Sequence, residues 1–204
     1  MKQDPTNCII DPGRLRGCLV FGIGVLVLLV AICHVLLPAL ERQATLNEQS
    51  RILENIRLGD GTVILDSQVV SGIGILTIDK INLELPVIDG VDNMQQKVVV
   101  GCTPQTVPIG AVGNAVIVGQ RSNQYGQLFN RLGELEIGDT INYHPKDSDW
   151  MLFQIVDIHT IRPDEQIAQT EDVYELTLYA CTPEQDDNPA LLIRAKRIMW
   201  MPMN

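Results

Sequence analysis

A mainly β domain behind a single membrane-spanning helix is the architecture the sequence predicts. Three observations predict it. An uncharged apolar run of 20 residues lies near the N-terminus, eight short Val/Ile/Leu-rich runs bounded by Gly, Pro, Asn or Asp follow residue 73, and one helical stretch interrupts them.

The apolar run spans Cys18 to Leu37 (CLVFGIGVLVLLVAICHVLL) without Asp, Glu, Lys or Arg. At about 1.5 Å rise per residue, a helix of that length crosses the roughly 30 Å hydrocarbon core of a bilayer. Core helices of soluble proteins seldom run so long without a charged face, and His34 at the outer end is the only ionisable group inside. Lys2, Arg14 and Arg16 precede the run, so the positive-inside rule puts the N-terminus in the cytoplasm and the C-terminal domain outside. A cleavable signal peptide has a shorter apolar region, about 7–15 residues, followed by a small-x-small site. Leu36-Leu37-Pro38-Ala39-Leu40 offers no such site. The expected organisation is a cytoplasmic tail (1–17), a signal-anchor helix (18–40), a helical stalk (41–72) and a folded domain (73–204), giving a single-pass type II topology.

The chain carries 15 basic and 25 acidic residues, a net charge of −10. Outside residues 1–40, 12 basic and 23 acidic residues remain. Such an acidic domain offers no basic patch for nucleic acid or anionic lipid. About 164 residues suffice for one core, which Val, Ile and Leu must fill because aromatics make up only 4% of the chain. Five cysteines give no disulfide framework: Cys8, Cys18 and Cys33 precede or lie in the apolar run, and only Cys102 and Cys181 fall in the outer domain. Neither stands in a Cys-x-x-Cys pair, so no metal site and no cofactor is expected.

Residues 41–59 have partly helical apolar spacing (Leu46, Ile52, Leu53, Ile56, Leu58), with Gly59 as a stop. The turn-bounded runs are Gly74–Ile78, Leu83–Val87, Val98–Val100, Ala115–Val118, Thr140–Tyr143, Met151–Ile161, Glu175–Ala180 and Ala190–Ile198. Their β-branched content predicts strands of an antiparallel barrel or sandwich. Leu128–Leu135 reads as a short helix. No second apolar span follows Arg197.

The chemically informative segment is Leu176-Thr177-Leu178-Tyr179-Ala180-Cys181-Thr182-Pro183, followed by Ala190-Leu191-Leu192-Ile193-Arg194. A strand ends at Cys181 and a second carries Arg194. If the two pair, a thiol and a guanidinium converge. Such a cation lowers the thiol pKa and stabilises an oxyanion. By itself, a cysteine at a strand end reads more often as a small buried hydrophobe.

The order and spacing of further segments resemble the sortases, cysteine transpeptidases of mainly Gram-positive bacteria. The segments are Gly74–Val87, Asn114-Ala115-Val116-Ile117-Val118-Gly119, Leu128–Leu132, Ile137-Gly138-Asp139, the Thr-Leu-x-x-Cys stretch and the Leu-Leu-Ile-Arg strand. The Cys-Thr-Pro extension is closest to the class C, pilus-type members and related short sortases. The resemblance implies an eight-stranded sortase β-barrel with short helices. It also implies that Cys181 forms an acyl-thioester with the sorting signal of a surface protein or pilin, which an amine (a cell-wall peptide or a pilin Lys) then resolves. Arg194 would stabilise the oxyanion or substrate.

The departures are equally specific. The family's catalytic His falls on Gln120, in Gly119-Gln120-Arg121-Ser122. A second His of many relatives falls on Gly101-Cys102, and the Thr before the nucleophile on Ala180. No Asp-Pro-aromatic lid occurs in residues 41–73. Gln120 forms hydrogen bonds but does not titrate, and positioned acid–base groups contribute about 10²–10⁴-fold. The alternative to an active transpeptidase is therefore an impaired homologue that binds sorting signals or sortase partners as a scaffold. His144, in a turn-like Tyr-His-Pro-Lys stretch, reads as solvated. His159 reads as structural, its face undecided. Cys102 is a possible redox partner of Cys181, and Asp186-Asp187-Asn188 a solvated acidic loop.

Overall fold

The computed structural model describes residues 12–65, 68–91, 98–122, 126–162, 165–181 and 189–201. The chain divides into two units, residues 1–44 and 45–204.

The first unit is the N-terminal part of helix α1 (Pro12–Arg57). Among the described residues α1 is the one helix long and apolar enough, by length and composition, to cross a membrane. Its apolar side chains, such as Phe21, Leu26, Val27, Leu36 and Leu40, are exposed. An apolar surface of this kind suits hydrocarbon rather than water, which makes the helix a candidate membrane anchor.

The second unit begins with the last turns of α1 and continues through nine strands: β1 (Thr62–Leu65), β2 (Gln68–Ile78), β3 (Leu83–Asp89), β4 (Val100–Cys102), β5 (Gly113–Gln120), β6 (Thr140–Pro145), β7 (Trp150–Ile161), β8 (Tyr174–Cys181) and β9 (Ala190–Met201). The strand order is β1-β2-β3-β4-β5-β8-β9-β7-β6, and β6 also pairs with β2. Strands β2 to β9 thus close into an eight-stranded barrel, and closure leaves them no free edge. Strand β1 is a hairpin partner of β2 outside the ring. It lies in the segment read from sequence as stalk.

The pairing is mixed rather than wholly antiparallel. β3 runs parallel to β4, and β5 parallel to β8. Both β5 and β8 are buried on their two faces over most of their length, as expected of strands inside a parallel pair. That is why Ala115–Val118 lack the polar alternation of a one-sided strand, while in β8 the alternating Glu175 and Thr177 are themselves buried. The stretch Leu128–Leu135 is a 3₁₀ segment, Phe129–Glu134.

Phe129 and Phe153 are fully buried at the centre, packed among Leu76, Ile78, Ile117, Leu132 and Ile193. Each such side chain removed from water stabilises the fold by about 1.5–3 kcal/mol. A second cluster joins Ile52, Leu53 and Ile56 of α1 to Val63 and Leu65 of β1 and Ile75 of β2. The helical spacing of those three residues is thus explained by burial. A third, small cluster of Ile161, Ala190 and Leu192, with Tyr179 and Ile167 packed against it, covers the outer face of the β7-β9-β8 sheet.

Gly119, near the end of β5, is there for lack of space. A Cβ at this position would stand 2.3 Å from Phe129 Cδ2. Gly119→Ala is expected to lower stability by about 1–3 kcal/mol through overpacking, read as a lower urea midpoint with the slope unchanged. An unchanged midpoint would show that Phe129 yields freely.

Candidate active site

The parallel register of β5 and β8 sets the site. It pairs Gly119 with Ala180 and Gln120 with Cys181. Neighbouring strands lie about 4.8 Å apart and paired residues share a face, so the Gln120 amide and the Cys181 thiol project side by side where both strands end. Two bonds fix the thiol's position. The Arg121 N–H donates to the Cys181 carbonyl at 2.6 Å. Cys181 Sγ–H donates weakly to the Gly119 carbonyl at 3.6 Å. Burial pushes the Cys181 thiol above its ordinary pKa, with a smaller opposing contribution from a backbone hydrogen bond. No cation is among the causes of its shift.

The structure does not bring Arg194 to this thiol, contrary to the sequence-based expectation. Arg194 faces Thr177 across β8–β9, four residues back from Cys181, or about 13 Å along the strand. Its guanidinium turns the other way. Arg194 Nη2 donates to Glu175 Oε1 and Oε2 at 3.1 and 3.0 Å. The Glu175 side chain is 1% exposed, with Lys196 Nζ 3.9 Å from it. A carboxylate so deeply buried needs a charged partner, and Arg194 serves it. The same face carries Thr177 Oγ1 donating to Asn114 Oδ1 at 2.8 Å, and Asn114 Nδ2 donating to the Ala168 carbonyl at 3.0 Å. This buried polar cluster ties the segment before β8 to the sheet. Level with Cys181 on β9, one step beyond the Ala180–Leu191 pair, stands Ala190, which is buried.

The redox pairing of Cys102 with Cys181 also fails. Cys102 pairs with Ile117 and belongs to the barrel interior, whereas Cys181 shares the opposite face with Gln120 and Tyr179. Two strands and three residues separate them, about 14 Å by strand geometry, beyond the roughly 7 Å limit for a disulfide. Both are free thiols. Burial, aided by the Asp89 charge, pushes the Cys102 thiol up to about 11 from its ordinary 9.0. The unfolded chain then gives up this proton first as pH rises, so stability present below pH 9 is lost by about pH 11. Cys102→Ala is expected to flatten that part of the stability-versus-pH curve, measured by urea unfolding at pH 8 and 10.5.

His159 lies on the same outer face as Cys181, in the row His159–Leu192–Tyr179 set by the β7–β9 and β9–β8 registers. It is two strands away with Leu192 between, and its Nδ1 is 3.0 Å from Asp157 Oδ2. His144 stacks on Trp150 with centroids 5.3 Å apart, and burial holds its pKa below the ordinary imidazole value. Neither histidine reaches the thiol. Thr182-Pro183 and Asp186-Asp187-Asn188 lie outside the described residues.

A groove of about 460 Å³ runs beside the thiol strand. Val116, Val118 and Tyr179 form its floor, Thr103, Gln105 and Thr106 one wall, and Gln166, Ile167 and Gln169 the other. Composition alone did not find it, because its walls come from two loops far apart in sequence. Among the described residues the lining is apolar or neutral and polar, without a charged side chain, and its volume falls in the range of ligand sites.

A closed barrel that presents a thiol at the end of a parallel strand pair, beside a groove of ligand size, has the frame of a cysteine-based peptide transferase. The family described as Sortase domain matches residues 76–198, and the chain belongs to it. Solved structures agree. Sortase C1 of Streptococcus agalactiae is 27% identical with a TM-score of 0.57, covering 64% of this chain and 69% of that one. Sortase C-3 of Streptococcus pneumoniae is 20% identical with a TM-score of 0.59, covering 78% and 86%. Sortase A of Listeria monocytogenes is 16% identical with a TM-score of 0.59, covering 65% and 91%. No curated protein matches the chain by sequence.

Proposed function

We propose that this chain is a membrane-anchored sortase-family protein that receives the sorting signal of a surface protein or pilin in the groove beside Cys181, with strongly attenuated transpeptidase turnover. One observation carries the proposal: the thiol stands at a strand end, and neither of the two strand positions level with it carries a charge. Gln120 stands beside it, Ala190 opposite it, and Arg194 is held by Glu175.

The family reaction sets the demands. Sγ attacks a peptide carbonyl, the departing amide nitrogen takes a proton, and an amine from a cell-wall peptide or a pilin Lys resolves the thioester. Gln120 has no proton to give at that step. A thiol raised by burial is also less ionised at pH 7 than a free cysteine. Binding makes neither demand, since the groove holds an extended segment through Val116 and Val118 and its threonine and glutamine walls. The charge pattern at Lys2, Arg14 and Arg16 supports an extracytoplasmic barrel, where such segments emerge.

The full chain in detergent micelles tests this. Iodoacetamide at pH 7 is expected to alkylate Cys181, scored against Cys181→Ala, no faster than it alkylates free cysteine. Fluorescent sorting-signal peptides from surface proteins and pilins are expected to bind wild type and Cys181→Ala alike, and to be lost in Val118→Glu. Alkylation well above the free-cysteine rate would overturn the attenuated reading in favour of an active transpeptidase. Peptide binding indifferent to Val118→Glu would remove the groove from it.

A further inference from the structure

Tyr179 is the one phenol on the thiol's own strand and face. It precedes Cys181 by two residues in β8, so the two side chains stand about 7 Å apart at their roots and point the same way. Its side chain packs against the cluster of Ile161, Ala190 and Leu192, and it lines the groove. Among the described residues its hydroxyl has no hydrogen-bond partner. The other side chains lining the groove with it are apolar, threonine or glutamine among the described residues.

We infer that Tyr179 is the oxyanion donor of this site, its phenol O–H bonding the carbonyl oxygen of the segment that Cys181 Sγ attacks. The inference rests on the reading of Cys181 as an acyl acceptor. Burial first, and the Cys181 charge second, raise the phenol above its ordinary pKa, so at neutral pH it is protonated and a donor. In the step, the thiol proton goes to water and Sγ forms a bond to the carbonyl carbon. The π pair moves to oxygen, where Tyr179 Oη–H donates without releasing its proton. The pair then returns, and the bond to the leaving group breaks with its electrons. An uncharged donor of this kind supports formation of the tetrahedral species. It leaves unmet the protonation of an amide nitrogen, so the site is competent toward esters and stalled on amides.

p-Nitrophenyl acetate isolates this role, because p-nitrophenolate departs without a proton. Iodoacetamide is the control, since displacement at a saturated carbon creates no oxyanion. Both are measured on the full chain in micelles at pH 9, with the Cys181→Ala rate subtracted. Tyr179→Phe is expected to slow acylation by about 10²-fold, the loss typical of one oxyanion donor, and to leave alkylation unchanged. Equal loss in both reactions would reduce Tyr179 to a residue that shapes the thiol and overturn the inference, as would no loss in either. Alkylation without any Cys181-dependent acylation of wild type would instead refute the acyl-acceptor reading itself.

Discussion

Gln120→His with Ala190→Arg is expected to raise Cys181-dependent cleavage of sorting-signal peptides by at least about 10²-fold over the wild-type chain. The register explains why these two positions matter. Gln120 is the residue paired with Cys181 on β5, so an imidazole there stands beside the thiol, able to accept its proton and return it to the leaving nitrogen. Positioned acid–base groups are worth about 10²–10⁴-fold. Ala190 is level with Cys181 on β9, so a guanidinium built there favours the thiolate and the oxyanion, the latter worth about 10²–10³-fold in comparable sites. Gln120→His alone is expected to give an intermediate gain. Ala190 belongs to a packed cluster, so its replacement costs about 1–3 kcal/mol of stability, and rates are compared per folded molecule. Vigorous wild-type cleavage to which the pair adds nothing would sink the attenuated reading. Gain from neither substitution would place the defect elsewhere in the groove.

Arg194→Ala is expected to destabilise the barrel by about 3–5 kcal/mol while leaving the alkylation rate of Cys181 unchanged in the protein that remains folded. Removing one partner of a buried pair leaves the other charge uncompensated. Glu175 would keep only Lys196, at 3.9 Å. Adding Glu175→Gln removes that charge, so the double variant is expected to recover a large share of the loss. A double-mutant cycle in urea reads this directly. The opposite pattern, a stable protein with a silenced thiol, would return Arg194 to the active site.

The error over Arg194 shows where sequence reading stopped. Strand parity is local, and it correctly puts Tyr179 and Cys181 on one face. Register is not local: which β9 residue stands opposite Cys181 depends on the path of residues 182–189 and on where β9 begins. Arg194 is the first cation after Cys181 in the sequence, yet the Ala180–Leu191 pairing carries it four residues past the thiol. One signal was available. Glu175 is the one charged residue in β8, and a carboxylate buried there demands a nearby cation. The Gln120–Cys181 neighbourhood was legible only through the family resemblance, since nothing in either segment alone says the strands run parallel. The continuous apolar run of β5 says only that this strand is buried on both faces. The β1–β2 hairpin was missed because its short Thr-Val-Ile-Leu run follows directly on a helix, where it read as linker.

The β5–β8 pair also bears on when the site comes into being. Gly119 and Cys181 are 62 residues apart, and the strands between them in sequence, β6 and β7, take places in the ring beyond β9. Closing so long a loop costs entropy before any contact rewards it. The thiol therefore acquires its neighbours only once the chain through β8 has emerged and the ring has begun to close. Before that moment Cys181 is an ordinary solvated cysteine, and its environment is a late product of assembly rather than a local property of its strand.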